Sequence, residues 1–419
     1  MSKSALIVII FIVAAACSPS APQWSGTMTD SAGVQIVTNT AEGLWPEGSA
    51  WTVEEEVRIG TIDAEPEYQF GEIGWLAPGS DGSIYVLDIQ GQHVKVFSPS
   101  GEYERTIGGP GSGPGEMGPP PAGQAFVLLG HADTVFVPDN ANQRVNRWTS
   151  SGDDAGSFPI DFQQGIPLVW TIAPNGALAE QLRPMSFTGG DEEPGNQHDF
   201  VLLLNTDGTV IDTVISFQSG ETIKFTGGVP EWTIFTPETG WSMTEMGHVL
   251  LGTSDEYRLR EYDASGTLIR VISMPWEPRL VSERDKQAVR DFFRKLLSEQ
   301  PGIPPVIVQR LVDNNVFFGE YLPAFARTVM GPNGTIWVQH VRGAAELTEE
   351  QLQAANFIED IGAPDWDVLD REGRYLGVVT MPDRFAPRMI AGHKIYGVWR
   401  DELDVQYAVV LRIVGAEID

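Results

Sequence analysis

Two arginines occupy corresponding positions in two segments of similar sequence, and both are candidates for ligand binding. Arg327 lies in Ala-Phe-Ala-Arg-Thr-Val-Met, and Arg388 lies in Ala-Pro-Arg-Met-Ile. A guanidinium group donates paired hydrogen bonds that suit carboxylate or phosphate. The chain has 57 acidic against 27 basic residues and a formal net charge of −30, so an ion pair with a neighbouring carboxylate is the alternative role. This charge balance gives no basic surface for nucleic acid.

Three further candidates each follow a short β-rich run. Asp88 ends Ile-Tyr-Val-Leu-Asp, Asp139 ends Val-Phe-Val-Pro-Asp, and His340 ends Ile-Trp-Val-Gln-His. Carboxylate and imidazole groups can bind a divalent cation such as Ca or Zn, which makes these three residues a candidate metal set. For the two aspartates, fixing the loop that follows is the alternative. His340 is the histidine best placed for chemistry, and it is also a candidate ligand-binding residue.

Two tryptophans, Trp75 and Trp170, lie near the starts of similar β-rich segments. An indole ring can stack on a sugar or an aromatic ligand, but packing in the core is the alternative fate of both rings. The sequence contains neither a Gly-x-Ser-x-Gly motif nor a His-Glu-x-x-His motif. No complete catalytic set is therefore recognised.

An internal repeat predicts the elements that position these residues. A turn followed by a β-rich run recurs six times. A second unit recurs between these copies, and it consists of a strand, a polar turn ending in glycine and another strand. Each repeat thus carries four strands, but the last one lacks its fourth. A strand at residues 34–39 or at residues 51–58 can supply it. The pattern predicts an all-β fold, a six-bladed β-propeller of four-stranded antiparallel blades over residues 33–419. The six runs begin near Asp81, Ala132, Asn175, Gly247, Asn333 and Gly392.

Strand order predicts which end of the propeller carries the ligand site. If the strands of a blade are labelled a to d, the a–b and c–d turns are all short, and the long insertions fall in b–c and d–a connections. Two of these insertions, at about residues 281–320 and 347–361, are predicted to be helical, and Ser282 with Asp285 resembles a capping box. We expect the helices to pack on the rim of the propeller, with a lid over the central funnel as the alternative. The long-loop face is the predicted ligand face.

The N-terminus places the only cysteine, Cys17, after about twelve apolar residues and the small residues Ala14, Ala15 and Ala16. This segment resembles the lipobox of bacterial lipoproteins, although Ala14 replaces the usual leucine. The resemblance implies a signal peptide at residues 1–16, lipidation of Cys17 and a flexible tether at residues 17–32. It also implies an exported protein held at the cell envelope by lipid alone. Ser18 resembles a signal for outer-membrane sorting.

The first two repeats carry a second resemblance. Asp81-Gly-Ser-Ile-Tyr-Val-Leu-Asp88, with the later His93-Val-Lys-Val-Phe97 and Gly101, resembles an NHL-type repeat over about residues 70–150. With the lipobox and Asp30-Ser-Ala-Gly-Val-Gln-Ile-Val-Thr-Asn39, the chain resembles a family of six-bladed propeller lipoproteins of bacteria. NHL-like and related propellers include binding scaffolds, lactonase-like hydrolases and amidating lyases, so the resemblance implies no single activity.

The function favoured by these observations is a non-catalytic binding or scaffold module at the envelope. It would recognise a protein, peptide or glycan through the long-loop face and act as a monomer. The alternative is a lactonase-like or other metal-dependent hydrolase or lyase with its site in the central funnel. Only the alternative requires a cofactor, a divalent cation such as Ca or Zn.

Overall fold

The computed structural model describes residues 23–61, 65–119, 125–184, 198–220, 223–226, 229–300, 302–354, 357 and 361–416. Strands predominate in these residues, and six sheets form the blades of a propeller. The first strands of neighbouring blades contact one another around the centre between blades 1 and 2, 2 and 3, 4 and 5, 5 and 6, and 6 and 1. The predicted six-bladed β-propeller is confirmed.

Blades 1 to 3 each consist of four consecutive antiparallel strands. Blade 1 comprises β4 (Ile73–Pro78), β5 (Ile84–Asp88), β6 (His93–Phe97) and β7 (Tyr103–Ile107). Blade 2 comprises β8 (Leu128–Leu129), β9 (Val135–Asp139), β10 (Arg144–Trp148) and β11 (Asp154–Pro159). Blade 3 comprises β12 (Ile166–Ile172), β13 (Leu178–Arg183), β14 (His198–Leu204) and β15 (Val210–Gln218).

Blades 4 and 6 include strands from the N-terminal segment, whereas blade 5 consists of four strands that follow one another in the chain. Blade 4 comprises β18 (Thr239–Met243), β19 (Val249–Thr253), β20 (Arg258–Tyr262) and β21 (Leu268–Ser273), extended by β2 (Val34–Thr38) and β1 (Thr27–Ser31). Blade 5 comprises β23 (Thr328–Met330), β24 (Ile336–Val341), β25 (Gly362–Leu369) and β26 (Tyr375–Thr380). Blade 6 comprises β27 (Phe385–Ala391), β28 (Lys394–Arg400) and β29 (Gln406–Val414), with β3 (Thr52–Ile59) as its outer strand.

Both candidate N-terminal strands are used, but for different purposes. The antiparallel pairing of β3 with β29 closes the ring, whereas β2 pairs in parallel with β21 on the outside of blade 4. Between them the chain crosses blade 5, where the amides of Leu44 and Trp45 donate to the carbonyls of Tyr375 and Leu376. Residues 23–59 therefore form a belt around blades 4, 5 and 6, and part of the segment predicted as a tether, β1, belongs to this belt.

The small-polar turns ending in glycine connect the c and d strands, and their glycines have a steric role. Gly101, Gly152, Gly208 and Gly373 all have positive φ, between 84° and 94°. This conformation favours glycine because other side chains collide with the backbone there. A Cβ on Gly373 would also lie 2.7 Å from the Ile272 side chain of the preceding blade. The glycines thus allow each turn to pack against its neighbour.

Apolar side chains fill the seams between adjacent blades. Phe97 and Val398 lie in the cluster between blades 1 and 6, and Trp337 and Leu411 lie in the cluster between blades 5 and 6. The seam between blades 3 and 4 differs, because it contains a buried polar network. Asp199 is fully buried there and accepts hydrogen bonds from Gln181 and Arg183 at 2.7–2.9 Å.

Candidate functional site

Three connections on the predicted long-loop face fold together into a cap. The cap comprises β16 (Ile223–Thr226), β17 (Val229–Ile234), α1 (Glu283–Ser298), α2 (Pro305–Asn315), β22 (Val316–Phe318) and α3 (Glu349–Ala354). The strands β16 and β17 precede blade 4, α1, α2 and β22 precede blade 5, and α3 lies between β24 and β25. The strand β22 pairs in parallel with β17 and so joins two of these connections. Helices in both predicted insertions are confirmed, and α2 is an additional helix.

The cap has its own hydrophobic core. On α1, Val289, Phe293 and Leu297 are at most 9% exposed, and the predicted capping box of Ser282 and Asp285 is present. These side chains pack within the cap and against the end of blade 5. The other buried members of this core are Ile234, Phe235, Val281, Val308, Val312, Val316, Leu322, Val341, Leu347 and Phe357.

Polar contacts attach the cap to the loop that follows β24. Asp285 of α1 accepts a hydrogen bond from the amide of Ala344. Arg279 donates to the carbonyl oxygen of Val341 at 2.7 Å and pairs with Glu346 at 2.7 Å. Because Val341 follows His340 directly, the cap stands next to the histidine that the sequence selected.

His340 is held by a carboxylate on the neighbouring strand of blade 5. Its Nε2 lies 3.0 Å from Oδ2 of Asp367, and its side chain remains 38% exposed. Asp367 is 5% exposed and also accepts a hydrogen bond from the hydroxyl group of Tyr257 at 2.7 Å. The site thus contains a buried carboxylate with two donors, one of which is a half-exposed imidazole.

The electrostatics favour the protonated form of His340. Burial opposes the imidazolium, but the hydrogen bond and charge of Asp367, with the charge of Asp365, outweigh it and raise the pKa of His340. Burial and the nearby Asp367 also raise the pKa of Tyr257, so this hydroxyl remains a donor. With Nε2 engaged by Asp367, Nδ1 is the ring atom available to a ligand or a metal ion.

Arg327 connects blades 5 and 6. Its Nε donates to Oε1 of Gln339 at 2.8 Å, its Nη2 donates to the carbonyl oxygen of Pro387 at 2.9 Å, and its guanidinium lies 5.4 Å from the ring centre of Trp366. Gln339 is 4% exposed. Through these contacts Arg327 links blades 5 and 6.

Arg388 lies across the same seam. It occupies a bulge in β27, because the pairing with β28 shifts between Pro387 and Met389. It lines a narrow crevice with Trp366 and residues of the inner strands of both blades. The structure therefore brings Arg327 and Arg388 to one seam, while His340 contacts Asp367 on the opposite face of blade 5.

Asp88 and Asp139 fix loops. Asp88 accepts hydrogen bonds from the amides of Gly71, Glu72 and Gly91 at 2.9–3.2 Å. Asp139 accepts from the amide of Gly118 and from the amide and side chain of Asn142. Both line one small cavity between blades 1 and 2, whereas His340 belongs to blade 5. Across the described ranges, no three His, Cys, Asp or Glu side chains are grouped as metal ligands.

The two tryptophans lie on either side of blade 2. The ring of Trp75 is partly buried and lies 4.9 Å from that of Phe126. Trp170 is 4% exposed and belongs to the core between blades 2 and 3. Each ring packs against protein side chains, the alternative that the sequence left open.

Asp367 and Tyr257 are the residues of the site that the sequence analysis missed. The carboxylate of Asp367 is a suitable partner for a histidine, but the sequence does not show that the two residues are close. The pairing of β24 with β25 places Asp367 beside His340. Tyr257 comes from the preceding blade, in the loop before β20. Cys17 and residues 185–197, which connect β13 to β14, lie outside the described residues. No helix in the described part of the chain has the length and apolarity needed to cross a membrane.

Residues 66–118 match the family DUF5128, which is described as a 6-bladed β-propeller. This segment comprises blade 1 and the beginning of the connection that follows it. No curated protein matches the sequence. The NHL-type character of the repeat stays a prediction.

Solved structures resemble the chain over most of its length at low identity. A protein of Bacteroides fragilis that is described as exported has 12% identity and a TM-score of 0.48, over 90% of this chain and 99% of the other. A virginiamycin B lyase of Staphylococcus aureus has 11% identity and a TM-score of 0.42, over 87% and 100%. A gluconolactonase of Xanthomonas campestris has 10% identity and a TM-score of 0.38, over 86% and 98%. At these values the similarities carry no argument about activity.

Proposed function

We propose that the protein is a binding propeller, tethered to the cell envelope, that holds a protein, peptide or glycan ligand on its capped face. The observation that carries this proposal is the one-sided cap. Three separate connections combine there into one folded unit, with half-exposed His340 beside it. Binding surfaces are commonly built from loops on a rigid scaffold.

The arrangement at His340 suits recognition. The protonated imidazole donates to Asp367 and presents its other N–H to an acceptor such as a carbonyl, hydroxyl or carboxylate oxygen of a ligand. The neighbouring Asp365 supplies an acceptor for donors of the same ligand. This mixture of donors and acceptors suits a peptide backbone or a sugar.

Glycan and peptide arrays probed with purified protein test the proposal. Ligands that bind the wild type should not bind His340→Ala, but they should still bind the matched control His131→Ala. His131 lies in an exposed a–b turn of blade 2, on the face of the propeller opposite the cap. Equal loss in both variants, or binding that survives His340→Ala, would reject the capped face as the ligand site.

The second candidate function, a metal-dependent hydrolase or lyase, is favoured by one observation. A histidine that binds a metal ion commonly donates its other N–H to a carboxylate, as His340 does to Asp367. Asp88 and Asp139 do not complete this set, because backbone amides occupy their carboxylates on other blades. Metal analysis separates the two functions: stoichiometric Ca or Zn that is lost in His340→Ala would support the enzyme.

A further inference from the structure

Glu180 is a buried acid in the seam between blades 2 and 3. It lies in β13 between Trp170 of β12 and Leu202 of β14, and it is 6% exposed. Residues two positions away on the same strand face, Leu178 and Leu182, belong to the apolar cluster that joins the two blades. The carboxyl group therefore enters a hydrophobic seam.

The repeat shows what this position ordinarily requires. The hairpin pairing of Leu76 with Val86 in blade 1 corresponds to that of Trp170 with Glu180 in blade 3. In every other blade the corresponding residue is aliphatic and at most 7% exposed. These five residues are Val86, Val137, Leu251, Val338 and Ile395. Packing alone thus favours an aliphatic residue, and Glu180 is the exception within the same fold.

Among the residues the structure describes, none donates a hydrogen bond to Glu180 or pairs with it. The strands β8 and β12 carry no ionisable side chain, and Asp139 of β9 faces blade 1, where it holds Gly118. Arg147 of β10 faces blade 3 but donates to the carbonyl oxygen of Thr206, and His198 lies at the exposed start of β14.

The acids and bases on the other side of blade 3 are engaged elsewhere. Asp199 of β14 and Arg183 of β13 form an ion pair in the seam with blade 4, away from Glu180. With no compensating charge, burial alone raises the pKa of Glu180 from 4.5 to about 7.

We propose that Glu180 is a proton-operated latch between blades 2 and 3. As a neutral acid it fits the apolar seam and the blades stay packed. As a carboxylate, Glu180 must be hydrated, so the seam loosens to admit water. The latch acts in the scaffold and does not depend on what the capped face binds.

The pH window follows from proton linkage. The acid ionises near pH 4.5 when the chain is unfolded and near pH 7 when it is folded, so the folded state binds the extra proton between these values. The stability that Glu180 contributes is therefore full below about pH 4.5 and is lost as pH rises to about 7. Over this interval the folding equilibrium constant decreases by up to about tenfold per pH unit, and it levels off above.

Denaturant unfolding from pH 4.5 to 8.5 tests the latch in the full chain. Glu180→Gln keeps the shape of the neutral acid, and Glu180→Leu restores the aliphatic residue of the other blades. Both should remove the loss of stability between pH 4.5 and 7 and exceed the wild type at pH 8. The matched control is Glu261→Gln, a 7% exposed acid of blade 4 that pairs with His248 and Arg270. That substitution should destabilise the protein at pH 8.

Hydrogen exchange locates the change. At pH 8, the amides of β12, β13 and β9 should exchange more slowly in Glu180→Gln than in the wild type, while those of blade 6 should be unchanged. The latch is rejected if Glu180→Gln keeps the pH dependence of the wild type, or if both Glu180 variants are less stable at pH 8. Slower exchange spread evenly over all six blades would also reject a local seam.

Discussion

Closure of the ring by the N-terminal belt can be tested by two truncations that differ by one strand. The strand β3 contributes Val57 and Ile59, which are 9% and 2% exposed, to the seam between blades 6 and 1. Burying an aliphatic side chain stabilises a fold by about 1.5–3 kcal/mol, so these two contribute about 3–6 kcal/mol. A typical domain is stable by about 5–15 kcal/mol, and removal of β3 should therefore abolish most of the stability.

The experiment compares a chain that begins at Gly60 with a control that begins at Thr40. The control loses the β1–β2 hairpin and the four hydrogen bonds of the Asn39 side chain, but it keeps β3 and a closed ring. It should unfold in one transition at a lower denaturant midpoint. The chain from Gly60 should show a broad transition of reduced slope, measured by circular dichroism and tryptophan fluorescence. If both chains unfold alike, β3 does not close the ring.

Three further outcomes are expected. Arg327→Met leaves the buried oxygen of Gln339 without this donor, so it should destabilise the protein by about 1–3 kcal/mol in denaturant unfolding. An unchanged midpoint would contradict the role of Arg327 in linking the two blades. Asp367→Asn should lower the pKa of His340, measured by NMR titration. In the wild type, the His340–Asp367 pair contributes stability that is fully present below pH 6.5 and is lost as pH rises through the raised pKa of His340. Asp367→Asn should remove this contribution. Cys17→Ser should release the protein into the soluble exported fraction, and retention in the membrane would refute the lipid anchor.

The blades were predictable because each repeat contains its own local signals. The glycines of the c–d turns, such as Gly101, mark backbone positions with positive φ, and the b strands are runs of aliphatic and aromatic residues. Neither signal depends on distant contacts. The two N-terminal strands could not be told apart, because the roles of β2 and β3 depend on the sheet edge that each one pairs with, and both edges are distant in the sequence.

The cap and the histidine site required contacts that the local pattern does not contain. The apolar stripe of α1 indicates a buried face, but not that Phe293 meets Trp232 from the preceding connection. Likewise, Asp367 lies beside His340 because β24 pairs with β25, where Asp367 is opposite Val338. The sequence therefore selected His340 without its partner, and it selected Arg327 without the contacts that join blades 5 and 6.

The pairing of β3 with β29 has a consequence for the order of folding. Glu54 and Arg412 meet across this pair although they are 358 positions apart in the chain. The four consecutive strands of each of blades 1 to 5 can form from neighbouring segments, but β3 can pair in blade 6 only after β29 (Gln406–Val414) has been synthesised. Contacts between such distant segments form slowly because a long loop must first be closed. Until then β3 is an unpaired edge that a second chain could occupy, so folding intermediates of this protein are prone to exchange this strand between chains.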